Sequence, residues 1–142
     1  EMFEVNVLAL CICTQQALAQ MQEHHDESHI IHIGSMSGHR VPTGANGAYC
    51  ATKFAVRALT ESLRQEMHAA KRAVRVTTIS PGLVETGFAS NYAGSADAAA
   101  KTYGALKCLQ SEDVASAVLY ALAQPDHMQI HDILLRPKEQ GS

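Results

Sequence analysis

Tyr49 and Lys53 stand four residues apart in Tyr49-Cys50-Ala51-Thr52-Lys53, a spacing that puts a phenol and an ammonium on one face of a helix. A phenol in water loses its proton near pH 10, and an adjacent cation favours phenolate, which brings that pKa toward neutrality. Such a pair is a usable proton donor and acceptor, although any helix with several lysines and a tyrosine also produces the spacing by chance. Ser35 follows a short apolar run in Ile33-Gly34-Ser35-Met36-Ser37-Gly38. The carboxyl ends of parallel strands are where open α/β sheets bind ligands, so a hydroxyl there can hydrogen-bond a substrate oxygen. The alternative is a turn serine bonded to its own loop. Asn6 sits among apolar neighbours in a helical pattern, where asparagine is a poor helix former and needs hydrogen-bond partners if buried.

The elements that must position these residues alternate along the chain. From Val5 to Met21, apolar residues at Val5, Leu8, Ala9, Ile12, Ala17, Leu18 and Met21 mark an amphipathic helix, which the polar stretch 22–28 ends. The run from His29 to Gly34 reads as a buried strand. A second helix is predicted from about Tyr49 to Ala70, with Ala55, Ala58, Leu59, Ser62, Leu63 and Met67 inward and Arg57, Glu61, Arg64 and Lys71 outward. Val74 to Ile79 is a second strand, stopped at Ser80-Pro81-Gly82 because proline removes a ladder donor and glycine permits a sharp turn. Gly87 to Gln110, rich in Ala, Gly and Ser, is expected to be mobile and partly helical. A third helix is predicted with Ser111 as its N-cap, an acidic first turn and an end at Pro125; Ile130 to Leu135 is a third strand. Buried strands alternating with crossover helices make a parallel α/β sheet.

At 142 residues the chain fits one domain, and 46% hydrophobic with 18% charged residues is the balance of a globular protein. The net charge of −3 comes without any Lys/Arg-rich stripe, so nucleic acid is not an expected partner. No apolar run approaches the roughly 20 residues that span a bilayer, and the start Glu1-Met2-Phe3-Glu4 lacks the basic opening of a secretory signal. A cytoplasmic location is expected. Cys11, Cys13, Cys50 and Cys108 include no C-x-x-C pair and read as reduced thiols. The densest histidine cluster is His24-His25-Asp26 with His29 and His32. Its first members fall at a helix end and its last two point to opposite faces of a strand, so no metal site is expected.

Taken together, Asn6, Ser35, Tyr49 and Lys53 occur in the order and contexts of the tetrad of the short-chain dehydrogenase/reductase family. Asn6-Val7-Leu8-Ala9 resembles that family's asparagine motif and Ser35-Met36-Ser37-Gly38 its serine turn. Ser80-Pro81-Gly82-Leu83-Val84-Glu85-Thr86 resembles its proline-glycine motif. Ser35 precedes Tyr49 by 14 residues, one more than is common in the family; Ser37, twelve before Tyr49, is the second candidate. The resemblance implies a Rossmann-like, doubly wound parallel sheet, and in this chain the catalytic C-terminal part of a single domain over residues 1–142. It implies that Tyr49 exchanges a proton with the substrate oxygen, Lys53 lowers its pKa and binds the nicotinamide ribose, Ser35 holds the same oxygen, and Asn6 positions water behind Lys53. Pro81, Gly82, Val84, Glu85 and Thr86 are expected to contact the cofactor.

The family's opening strand and Gly-rich pyrophosphate turn have no counterpart here, since the nine glycines include no G-x-G. The N-terminal half of the fold is therefore expected to be absent from this chain, which alone is expected to bind cofactor weakly. The stretches from Ser35 to Val41 and from Ile133 to Pro137 are similar to the subgroup of insect farnesol dehydrogenases and vertebrate cytosolic hydroxysteroid reductases. That similarity implies NADP, with NAD as the alternative, and apolar alcohols or ketones as substrates. Met36, Phe88, Tyr92, Tyr103, Leu106 and Leu109 are expected around the cleft. The family pattern implies a homodimer or homotetramer. The rival reading is a truncated, non-catalytic homologue that dimerises.

Overall fold

The structure, a computed structural model, describes residues 1–24, 27–42, 46–88, 103–104 and 106–141. Parallel strands cannot be joined by hairpins, and the helices between them serve as the crossovers. β1 (Ser28–Ile33), β2 (Val74–Pro81) and β3 (Asp132–Leu135) form one sheet in the order β1-β2-β3, parallel throughout. Ser28 pairs with Val74 and Ile33 with Ile79 at the two ends of the first ladder; Thr78 pairs with Asp132 and Pro81 with Leu135 at those of the second. The parallel α/β sheet expected from the alternation of patterns is present, in the Rossmann-like form that the family resemblance implies.

α1 (Ala9–His24) precedes β1, α2 (Gly47–Ala69) joins β1 to β2, and α3 (Ser111–Leu122) precedes β3. Ile30, Val74 and Val76 pack with Leu63 and Met67 of α2, and Leu18 and Met21 of α1 close this core. The inward stripe of α2 differs from the predicted one. Val56, Thr60 and Arg64 are buried with Leu63 and Met67, while Ala58 and Ser62 are exposed. Arg64 enters the core because its guanidinium is spoken for: it donates to Val76 O at 3.3 Å and His131 O at 3.1 Å, and pairs with Glu61. A buried charge is tolerated when it is fully hydrogen-bonded in this way.

The two strand histidines face different sides. His29 Nε2 lies 2.7 Å from Thr77 Oγ1, whose hydroxyl donates to Ile130 O, so the ring must be the donor in the first contact. On the other face Thr60 Oγ1 donates to Val56 O and therefore accepts from His32 Nδ1–H at 2.8 Å; Nε2 of the same ring is left to accept from the Thr14 hydroxyl at 3.0 Å. His32 thus links α1 to α2 across β1 as a neutral ring. Burial holds its pKa below the ordinary histidine value.

Several boundaries depart from the sequence expectation. The first helix opens with a wide turn over Glu4–Leu8, closed by an Ala9 N–H to Glu4 O bond. Val5, Leu8 and Ile12, expected to face a core, are 63, 56 and 50% exposed, because no described part of this chain covers them. The N-cap of α3 is Gln110 rather than Ser111: the Asp113 carboxylate accepts from Gln110 N–H at 2.8 Å, so the acidic residue caps one position earlier. β2 runs on through Ser80 and Pro81, since Gly82 N–H continues to Leu135 O. β3 begins at Asp132 instead of Ile130. Most of the Ala/Gly/Ser-rich segment, Tyr92 included, lies outside the described residues, as do His25 and Asp26. No described helix is long and apolar enough to cross a membrane, and no group of three or more described His, Cys, Asp or Glu residues is placed to hold a metal.

Candidate active site

The strands deliver three turns to the same edge of the sheet. At the end of β1, Gly34 N–H donates to Ile79 O at 2.8 Å, and a Cβ there would lie 2.7 Å from Thr78 Cγ2. Only glycine lets β1 leave the sheet this close to β2. Ser35 then caps a one-turn 3₁₀ helix, Met36–Gly38, its Oγ accepting from Ser37 N–H at 3.1 Å. The hydroxyl oxygen does satisfy its own loop, as the turn-serine alternative required, and its proton stays available to an acceptor in the cleft. Gly38 rests on the backbone of α2, where an added Cβ would come within 2.6 Å of Lys53 O.

Asn46 fixes where α2 starts, its side chain accepting from Ala48 N–H at 3.0 Å and Tyr49 N–H at 3.3 Å. Tyr49 and Lys53 follow on successive turns. Lys53 Nζ lies 5.9 Å from the centroid of the Tyr49 ring and donates to Ile33 O at 3.2 Å. Burial of this ammonium lowers its pKa. The Tyr49 ring also meets Phe88, centroid to centroid at 5.5 Å and tilted by 49°. Asn6, on the wide turn that opens the first helix, donates through Nδ2 to Thr52 Oγ1 at 3.1 Å. Thr52 in turn donates to Tyr49 O at 2.7 Å, so the asparagine's partner belongs to the same helix as the tyrosine and lysine.

Asn6, Ser35, Tyr49, Lys53, Pro81, Gly82, Val84 and Thr86 all line one cleft of about 460 Å³, the size of a small-molecule site. Glu85 does not line it. Its N–H donates to Leu109 O at 2.8 Å and its carboxylate accepts from Gln110 Nε2 at 2.9 Å, on the far side of the Val84–Leu109 bridge. Of the apolar residues expected around the cleft, Met36 and Phe88 line it, and the Tyr103 hydroxyl donates to Thr86 O at 2.8 Å. Leu106 and Leu109 are not among the lining residues. Sequence reasoning missed three contributors: Asn46, whose place before a helical stripe is a cap signal, Thr52, and Gln140, which nothing in its local sequence marks.

Comparison with known proteins identifies the family and the fold. The short chain dehydrogenase family profile matches residues 1–96. Human dehydrogenase/reductase SDR family member 11 is 54% identical over 99% of this chain, and farnesol dehydrogenase of Aedes aegypti is 36% identical over 96% of it. The chain spans about half the length of these relatives, 55% and 53% respectively. The closed form of a serine dehydrogenase complexed with NADP+ superposes with a TM-score of 0.90 at 36% identity, covering 99% of this chain and 56% of that one. A fold of this similarity, with the family profile spanning the serine turn, Tyr49 and Lys53, leaves one assignment: the chain belongs to the short-chain dehydrogenase family.

Proposed function

We propose that the intact protein is an NADP-dependent oxidoreductase that interconverts CH–OH and C=O groups, with Tyr49 as proton donor and acceptor. The observation that carries this reading is the meeting of Asn6, Ser35, Tyr49 and Lys53 at one cleft beside the ends of β1 and β2. The donor set fits the nicotinamide-ribose end of the cofactor. An ammonium has three donors, Lys53 uses one on Ile33 O, and two are left for adjacent ribose hydroxyls. The cofactor, when bound, supplies or takes the hydride at the substrate carbon.

The chain's own residues hold the substrate oxygen and move its proton. The Ser35 hydroxyl donates to that oxygen, and Tyr49 Oη gives it a proton during reduction or takes one during oxidation. Lys53 favours the phenolate form of Tyr49 by its charge. Asn6, bonded to Thr52, fixes the wide turn against α2, and its carbonyl would serve as acceptor for a water behind Lys53. Pro81, Gly82, Val84 and Thr86 line the cleft where they would hold the nicotinamide end of the cofactor; Glu85 braces this segment through Gln110.

Met36 and Phe88 favour an apolar alcohol or ketone, isoprenoid or steroid-like, and the likeness to farnesol dehydrogenase supports it. The likeness to serine dehydrogenase favours the competing reading, a small polar hydroxy acid. Exposed Phe3, Val5, Leu8 and Ile12 support burial of the α1 face in the intact protein, as in a homodimer or homotetramer. The four free cysteines suit a reducing compartment such as the cytoplasm.

The test is steady-state oxidation of farnesol and of serine by the intact protein with NADP+ and NAD+, in the parent and in Tyr49→Phe. Farnesol with NADP+ should give the higher kcat/KM. Loss of the phenolic oxygen should lower kcat by roughly 100- to 10,000-fold with cofactor binding nearly unchanged. Parent-like kcat in Tyr49→Phe would remove Tyr49 from the reaction, and higher kcat/KM for serine would replace the apolar substrate class.

A further inference from the structure

After β3 the chain turns back across the mouth of the cleft. Gln140 N–H donates to Pro137 O at 3.1 Å, closing the turn, and Arg40 Nη2 anchors the returning strand of chain by donating to Gly141 O at 3.1 Å. The same nitrogen lies 3.2 Å from Met36 Sδ, which ties the anchor to the serine turn. Gln140 is thereby held against the opposite wall, where its Oε1 accepts from Leu83 N–H at 2.9 Å. A backbone N–H can only donate, so the carboxamide oxygen must face it and the orientation of the side chain is fixed.

Gly82 makes this approach possible. A Cβ at that position would run into Gln140 Oε1 and lie 2.8 Å from Arg136 Cβ. Gly82 N–H itself donates to Leu135 O at 2.7 Å, so two successive amides of the turn after β2 are held by β3 and the segment that follows it. Without Gln140, Leu83 N–H would have no partner among the described residues, so the turn would keep its bonds to Leu135 and Leu109 but lose its tie to the chain beyond β3.

We propose that Gln140 is a positioning residue for the cofactor site: its carbonyl fixes the 81–84 turn at the place where the nicotinamide end of NADP is bound. This rests on the NADP reading above. The experiment compares the intact parent with Gln140→Met, which keeps length and volume but leaves the amide only a weak sulfur acceptor, and Gln140→Glu, which restores an acceptor oxygen. NADPH affinity is read by fluorescence titration, kcat and KM by steady-state assay, and folding by thermal midpoint.

Losing one backbone hydrogen bond of this kind should raise the NADPH Kd of Gln140→Met roughly tenfold. Its thermal midpoint should stay within a few degrees of the parent's, and the KM for the alcohol should change less than the NADPH Kd. Gln140→Glu should recover most of the loss. Parent-like NADPH affinity in Gln140→Met, or equal loss in both variants, would overturn the proposal while leaving the cofactor reading intact. A parent that binds no NADPH would overturn the cofactor reading itself and this inference with it.

Discussion

Replacing Gly38 by alanine tests whether the serine turn and α2 are seated as closely as the geometry requires. The added Cβ would sit 2.6 Å from Lys53 O, 3.0 Å from Lys53 C and 3.6 Å from Lys53 Cβ, where ordinary contact begins near 3.4 Å. About 0.8 Å of separation must therefore be found, and both offending atoms are backbone, so no rotamer change supplies it. Overpacking of this kind costs about 1–3 kcal/mol. In a protein of this size class that lowers Tm by roughly 2–4 °C per kcal/mol. The displacement also separates Ser35 from Tyr49 and Lys53 by nearly the ~1 Å that can cost about 100-fold in rate. Gly47→Ala is the control, since a Cβ there meets nothing within 4 Å and sits at the start of a helix. Thermal unfolding and steady-state kinetics of the intact protein should show Gly38→Ala less stable and slower, and Gly47→Ala neutral or slightly more stable. Parent-like Tm and kcat in Gly38→Ala would refute the close approach and, with it, the idea that this contact sets the distance between the serine and the tyrosine-lysine pair.

Two further outcomes concern pH. Lys53→Met should raise the apparent pKa of kcat/KM for alcohol oxidation, because the phenol of Tyr49 loses its neighbouring cation and returns toward about 10; an unmoved profile would mean that Lys53 does not tune Tyr49. His32 has its pKa lowered by burial, as do His29 and the more exposed His131. A lowered histidine pKa leaves stability fully present above the ordinary value of 6.5 and withdraws it as pH falls through the folded-state value, since the unfolded chain then binds more protons. The urea midpoint should accordingly drop between pH 7 and pH 5, and His32→Gln should flatten part of that slope; an equal slope in the variant would assign it to other groups.

The sheet was legible because its strands are short β-branched runs bounded by glycine and proline, signals that stay local. Ile30, Val74 and Val76 need no distant information to be read as core. The inward face of α2 was not legible in the same way. Thr52, Thr60 and Arg64 are polar types that periodicity assigns to solvent. Each is buried because a specific acceptor awaits it, Tyr49 O for Thr52, Val56 O for Thr60, and Val76 O with His131 O for Arg64. Two of those acceptors lie on the helix itself, one on β2 and one just before β3, and only the folded arrangement reveals the latter two. The first helix is a different case. Its apolar stripe was legible in the sequence, and Val5, Leu8 and Ile12 on it meet no described residue that covers them.

Within the cleft the same division between local and distant information decides what sequence could find. Tyr49, Lys53, Ser35 and Asn6 each stand in a motif whose spacing survives without knowledge of the fold, and the structure brings all four to one place. Glu85 shared a motif with Val84 and Thr86, yet successive residues of an extended turn point to alternate sides. Val84 and Thr86 face the cleft and Glu85 meets Gln110 behind it. Motif membership thus located the wall but not which of its side chains face inward. Gln140 is the converse case, a residue 57 positions beyond the amide it holds, with no motif around it. Its contact exists only because β3 pairs with β2 at Pro81 and Leu135, which returns the end of the chain to the turn that follows β2. A long-range polar contact of this kind depends on strand register, and register is set by the whole sheet rather than by any segment of its sequence.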